Sequence, residues 1–143
     1  MSTTRNSLRL TLEGAQTLID AAVAAAKQMQ VPQCIAVVDD ACNLLAFARM
    51  DGSRVLSVLS AQRKAKTAAT TGKPTGELPA DVEIKLAVAT DGEMVNLKGG
   101  LPVIVDGQVI GGIGIGSGTG DQDREIANAA LMALPGAKIF AFG

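Results

Sequence analysis

The segment GGLPVIVDGQVIGGIGIGSGTGDQD, Gly99 to Asp123, decides how the rest of the chain is read. It predicts a strand, an Asp106-Gly107 hairpin turn, a second strand rich in glycine, and the start of a helix. An Asp-Gly pair between two apolar runs is a strong local hairpin signal, because the favoured two-residue turns need φ > 0. Glycine recurs at Gly111, Gly112, Gly114, Gly116, Gly118 and Gly120, so one face of the second strand carries almost no side chains. Glycine weakens a strand interior and marks a place where another backbone or a ligand comes close. Two readings stay open there: tight packing, or the floor of a ligand pocket.

Outward from that hairpin, helices and strands follow from periodicity and punctuation. Leu12, Ala15, Ile19, Val23, Ala26 and Met29 recur at three- and four-residue steps, predicting a helix capped by Thr11 and ended before Pro32. Strands are expected at about Cys34–Asp39 and Asn43–Met50, joined by an Asp40-Ala41-Cys42 turn. Ser53 is expected to cap a second helix reaching about Ala69, and Thr70–Pro79 reads as a loop from its Gly and Pro. Val82, Leu86 and Ala89 suggest a short helix, and Met94–Lys98 a fifth strand. Thr119 and Gln122 have the form of a capping box that opens a last helix, to about Leu134. Hairpins rather than βαβ crossovers place the chain in the α+β class. The expectation is one domain, residues 1–143, with a five-stranded antiparallel sheet and packed helices.

Composition narrows the chemistry. The chain has 143 residues, 48% of them hydrophobic and 19% charged, enough for a real core and too apolar for disorder. A net charge of −1 gives no electrostatic case for a nucleic-acid or anionic-membrane partner. No apolar run approaches the ~20 residues that span a bilayer, and the N-terminus lacks a signal-type apolar stretch, so a cytoplasmic location with reduced Cys34 and Cys42 is expected. There is no His, Tyr or Trp. Catalytic triads, His-ligated zinc and His-ligated haem are therefore excluded, and no metal site is expected.

The blocks CIAVVDDACNLLAFARMDGS (Cys34–Ser53), AQRKAKTAA (Ala61–Ala69), GGLPV and GSGTGDQD, in this order, resemble the GlcG/HbpS family. That family is often labelled haem-binding or haem-degrading and includes the C-terminal domain of PduO-type proteins. The resemblance covers nearly the whole chain. It implies a profilin-like or PAS-like sheet, assembly into a symmetric homo-oligomer, and a cleft between the glycine strand, the Arg49 turn and the Lys64 helix. It also implies an accessory or sensing role in the catabolism of small organic molecules. Haem or corrinoid is the ligand the family label suggests, but without His or Tyr no cofactor is expected.

On this reading the ligand is a small organic anion. Arg49 offers a bidentate fork and Lys64 a point charge for a carboxylate, while Gly114, Gly116, Gly118, Thr119 and Gly120 form the floor and mouth of the pocket. The plainer alternative pairs Arg49 with Asp51 or Glu125 and leaves the basic helix face solvated. A second function is an enzyme acting on an organic acid by tautomerisation, hydration, elimination or dehalogenation. Arg49 would then hold the carboxylate, glycine-loop amides would stabilise an enolate, and Asp51 or Asp121 would move the proton. The third is haem or corrinoid binding. Cys42, in a turn beside Asp39 and Asp40, reads as an unactivated thiol, and Cys34 as core.

Overall fold

A computed structural model describes residues 1–142. The element order is α1 (Leu12–Met29), β1 (Cys34–Asp39), β2 (Leu44–Arg49), α2 (Ser57–Thr71), α3 (Ala80–Ala89), β3 (Gly100–Val105), β4 (Gln108–Gly116) and α4 (Gly120–Met132). The four strands form one antiparallel sheet in the order β2-β1-β4-β3. The Asp106-Gly107 turn has positive φ at both residues, 50° and 72°, as a two-residue hairpin loop requires. Thr11 caps α1 by accepting a hydrogen bond from the Gly14 N–H, and the Thr119/Gln122 capping box opens α4.

Alternation along β4 sorts the two faces of the sheet. Ile113 and Ile115 point with Ile35, Val37, Leu101 and Val103 into a core closed by α1 and α4. Gly112, Gly114 and Gly116 point the other way, towards α2. A methyl group built on Gly112 would overlap the Ala65 carbonyl oxygen, and one on Gly114 would overlap that of Ala61. Ala61, Ala65 and Ala69 complete the small-residue contact on the helix side, with Cys34, Ala36 and Val38 beside them on β1. The helix backbone thus lies directly on the strand backbone.

Three expectations need correcting. The sheet has four strands, because Met94–Lys98 spends its backbone on side chains instead of a neighbouring strand. The Val95 N–H donates to Thr67 Oγ1 and the Met94 N–H to Thr90 Oγ1, while the Leu97 carbonyl accepts from Thr75 Oγ1. Ser53 does not cap α2. Its hydroxyl donates to the Met50 carbonyl, and α2 begins four residues later without a side-chain cap. The glycine surface is not the floor of a cavity, since α2 fills it.

The α2–glycine contact makes Gly114 intolerant of any side chain. Gly114→Ala should cost about 3 kcal/mol or more, because backbone atoms of α2 would have to move away from the sheet. Gly107→Ala, which meets no atom within 4 Å and bears only the left-handed strain, should cost about 1–2 kcal/mol. Urea unfolding midpoints test the pair; a Gly114→Ala variant as stable as wild type would mean the contact is looser than described.

Candidate functional site

Lys64 lies on the face of α2 that meets the sheet, and its stem carries the ammonium group past the end of β4. There Nζ donates to the Ile115 carbonyl at 2.8 Å and to Asp123 Oδ2 at 3.0 Å, both side chains being buried. The other carboxylate oxygen of Asp123 accepts from the Gly118 N–H at 3.1 Å. Burial pushes the Asp123 carboxyl above its ordinary range, opposed by Lys64, by the neighbouring Gln33 amide and by the Gly118 N–H. Gln33 is wholly buried, and neither of its amide atoms completes a hydrogen bond of good geometry. This node ties α2, β4 and α4 together. It buries the Lys64 ammonium and commits it to Ile115 and Asp123, contrary to its expected role at a ligand pocket.

The loop that follows β4 is similarly committed. Gly118 N–H is bound to Asp123, Thr119 N–H to Gln122 Oε1, and Gln122 N–H to Thr119 Oγ1. Gly114 and Gly116 lie under α2, and Gly120 sits against the stem of Lys98. Asp121 is exposed and pairs with Lys98 at 3.2 Å. The Gly118 and Thr119 amides therefore already satisfy side chains of the same helix turn, and two acids, Asp121 and Asp123, stand at that turn. Gly114, Gly116, Gly118, Thr119 and Gly120 build the protein rather than a pocket mouth.

Arg49 has a different fate. It ends β2, the edge strand, and with Lys27, Val23, Ala48, Met50 and Asp51 it lines an open cavity of about 380 Å³ between the last turn of α1 and the β2 end. Among the described residues neither Arg49 nor Lys27 enters an ion pair, so the expected partners Asp51 and Glu125 do not neutralise Arg49. Val23, Ala48 and Met50 supply an apolar wall beside the two cations. Asp51 shares this cavity with Arg49, whereas Asp121 lines a separate groove along α4 with Arg124, Glu125, Phe140 and Phe142. The three catalytic candidates thus do not converge.

Lys27 was not singled out from sequence, because it looks like an ordinary cation complementing the end of a helix dipole. Asp123 likewise reads as a dipole-matched acid in the first turn of α4, and only its distance to Lys64 shows it to be half of a buried pair. Both cysteines are free thiols. Cys42 is half-buried over α2, where its Sγ–H points at the Lys66 carbonyl at 3.6 Å. Burial is the main reason its thiol pKa rises, with Lys66 opposing and Asp39, Glu93 and Asp40 adding to it. No group of three or more His, Cys, Asp or Glu able to hold a metal ion occurs among the described residues.

Residues 10–132 match the family described as "Haem degrading protein HbpS-like". The chain is 35% identical over 136 residues to an uncharacterized 15.0 kDa protein of the dhaT-dhaS intergenic region of Citrobacter freundii, covering 92% of this chain and 96% of that one. The solved PduOC:heme complex superimposes with a TM-score of 0.85 at 31% identity, covering 94% of this chain and all of the other. HbpS of Streptomyces reticuli, solved as a double mutant, gives 0.82 at 36% identity over 92% of this chain and 90% of its own. The chain belongs to the HbpS-like family, and its four-stranded α+β fold is the fold of these relatives.

The buried pair predicts a defined stability pattern. Lys64→Met should lower the unfolding free energy by about 3–5 kcal/mol, because it leaves an uncompensated carboxylate in the interior, and the double change Lys64→Met/Asp123→Leu should recover most of that loss. Because the native pKa of Asp123 is raised, the folded chain keeps this proton to higher pH than the unfolded chain does. Its stabilising contribution is full below the unfolded carboxyl range and is lost as pH rises through the native value. Asp123→Asn should flatten the stability-versus-pH curve over that interval. Denaturant titrations across pH would show no such change if the carboxyl were solvated.

Proposed function

We propose that this chain is a binding protein for a small carboxylate-bearing organic molecule, held at the Arg49–Lys27 cavity, in an accessory or sensing role. The observation that supports it best is two cations that, among the described residues, have no ion-pair partner, beside an apolar wall formed by Val23, Ala48 and Met50. The guanidinium takes the carboxylate by its fork and the ammonium adds a second charge. The apolar wall accepts the organic portion of the ligand. Lys64, expected as the second cation, is replaced in that role by Lys27. The enzymatic alternative would have to rely on Asp51 alone as proton carrier, since Asp121 lies elsewhere, and it gains no support from the arrangement.

A second reading, binding of haem or a corrinoid, is favoured by the haem complex of the PduOC relative and by the family description. The chain has neither the His imidazole nor the Tyr phenolate that serve as axial ligands of haem iron. The soft donor beside the two cations is the Met50 thioether. Propionate groups of a tetrapyrrole would meet the same Arg49 and Lys27.

Calorimetry with glycolate and with benzoate tests the first reading. At least one should bind, and Arg49→Ala should weaken it about tenfold or more, the loss of one charge-assisted hydrogen-bonded contact, without changing thermal stability. Arg49→Lys should restore binding only in part, as an ammonium cannot reproduce the fork. Equal binding by wild type and Arg49→Ala would remove the anchor. Titrated haemin should bind weakly, without the sharp low-spin Soret band of nitrogen-ligated iron. A tight stoichiometric complex would put the second reading in place of the first.

A further inference from the structure

Three ionised side chains line the cavity between α1 and the end of β2, and the chain itself neutralises none of them. Asp51 stands there with Arg49 and Lys27, and among the described residues no member of the trio is in an ion pair. Each is carried by a separately fixed piece of backbone. Arg49 is the last residue of β2, opposite Cys34 in the sheet register. Lys27 lies in the last turn of α1, which closes on the left-handed Gln30, whose N–H donates to the carbonyls of Ala26 and Lys27. Asp51 sits in the tight turn Met50–Ser53. There the Ser53 N–H and hydroxyl both donate to the Met50 carbonyl, at 3.1 and 2.7 Å, and Gly52 takes φ +86°. A left-handed glycine as third residue gives this the form of a type II turn.

An acid beside two cations selects among the carboxylates that the cavity could take. Two positive charges and one negative leave the lining with a net charge of +1. A plain carboxylate satisfies the Arg49 fork and meets Asp51 as a repulsive neighbour. A ligand that also bears an ammonium group gives Asp51 a partner, and one with a second carboxylate engages Lys27 as well. An acidic α-amino acid carries all of these, and its charges are the complement of those on the cavity wall. Its short methylene chain suits the apolar surface of Val23, Ala48 and Met50, and about 380 Å³ lies at the small end for a metabolite site.

We propose that the Arg49–Lys27 cavity recognises an acidic α-amino acid, with Arg49 and Lys27 holding its two carboxylates and Asp51 its ammonium group. This rests on the carboxylate-binding reading given above and adds Asp51 as the residue that sets specificity. The backbone that carries the three charges is already ordered, so binding has only side chains to fix. All three side chains are exposed, so water screens each contact and each contributes a few-fold to affinity.

Calorimetry at low ionic strength with L-glutamate, glutarate and 4-aminobutyrate tests this. Glutarate lacks the ammonium group, and 4-aminobutyrate lacks one carboxylate. Wild type should bind glutamate about threefold to tenfold more tightly than either. Asp51→Asn should abolish the preference over glutarate and Asp51→Lys should reverse it, while the melting temperature of both variants stays that of wild type. Lys27→Met should bring glutamate down to the level of 4-aminobutyrate. Glutarate bound by wild type at least as tightly as glutamate, and weakened by Arg49→Ala, overturns the amino-acid proposal and leaves the carboxylate reading standing. Binding of glycolate or benzoate without binding of glutamate has the same meaning. A preference for glutamate that survives Asp51→Lys removes Asp51 from its role and overturns the proposal. If none of the five compounds binds, both readings fall together.

Discussion

The contact between the α2 backbone and the glycine face of β4 sets the geometry of everything on that side of the sheet. Removing side chains at Gly112 and Gly114 lets a helix approach until carbonyl oxygens of Ala61 and Ala65 occupy the space of absent β-carbons. Close packing of this kind gains dispersion energy over many atom pairs and leaves no room for adjustment. It also fixes where Lys64 can go. With the helix so near, its ammonium reaches past the strand to Ile115 and Asp123, and α4 is locked to the end of β4 by the same bond pair. A buried ion pair of this sort adds little net stability over an apolar substitute, yet it tolerates the loss of neither partner.

That arrangement explains why the richest stretch of sequence is architectural. Glycines that read as a pocket floor are covered by a helix, and the Gly118 and Thr119 amides that read as part of an anion cradle are taken by Asp123 and Gln122. The cavity proposed for ligand chemistry lies elsewhere, at the end of the edge strand β2. Arg49 and Lys27 line it together with Asp51, and among the described residues neither cation is in an ion pair. The chain keeps the fold of the HbpS-like family, whose solved relatives include a haem complex, but has no His or Tyr to serve as an axial ligand.

Local signals were reliable where the physics is local. Thr11, the Thr119/Gln122 box and Asp106-Gly107 all behave as their chemistry dictates, since caps and tight turns are decided within four residues, while the loop expected at Thr70–Pro79 starts only at Gly72, after α2 ends at Thr71. Ser53 and Met94–Lys98 misled for the opposite reason. Ser53 has a capping side chain but spends it on the Met50 carbonyl, and Val95 has a strand-like neighbourhood but gives its N–H to Thr67, 28 residues away in the chain.

Sequence alone determined the α+β class, the hairpin at Asp106-Gly107, the family and the exclusion of imidazole chemistry, because periodicity, turn residues and missing side chains need no tertiary context. Tertiary structure alone decided that the bare face of β4 belongs to α2, that Lys64 belongs to Asp123, that Lys27 belongs beside Arg49, and that α3 faces water with Ile84 and Val88. Each of these is a pairing between residues distant along the chain. A glycine or a lysine is compatible with several partners, and only the packing of α2 and α1 on the sheet selects one.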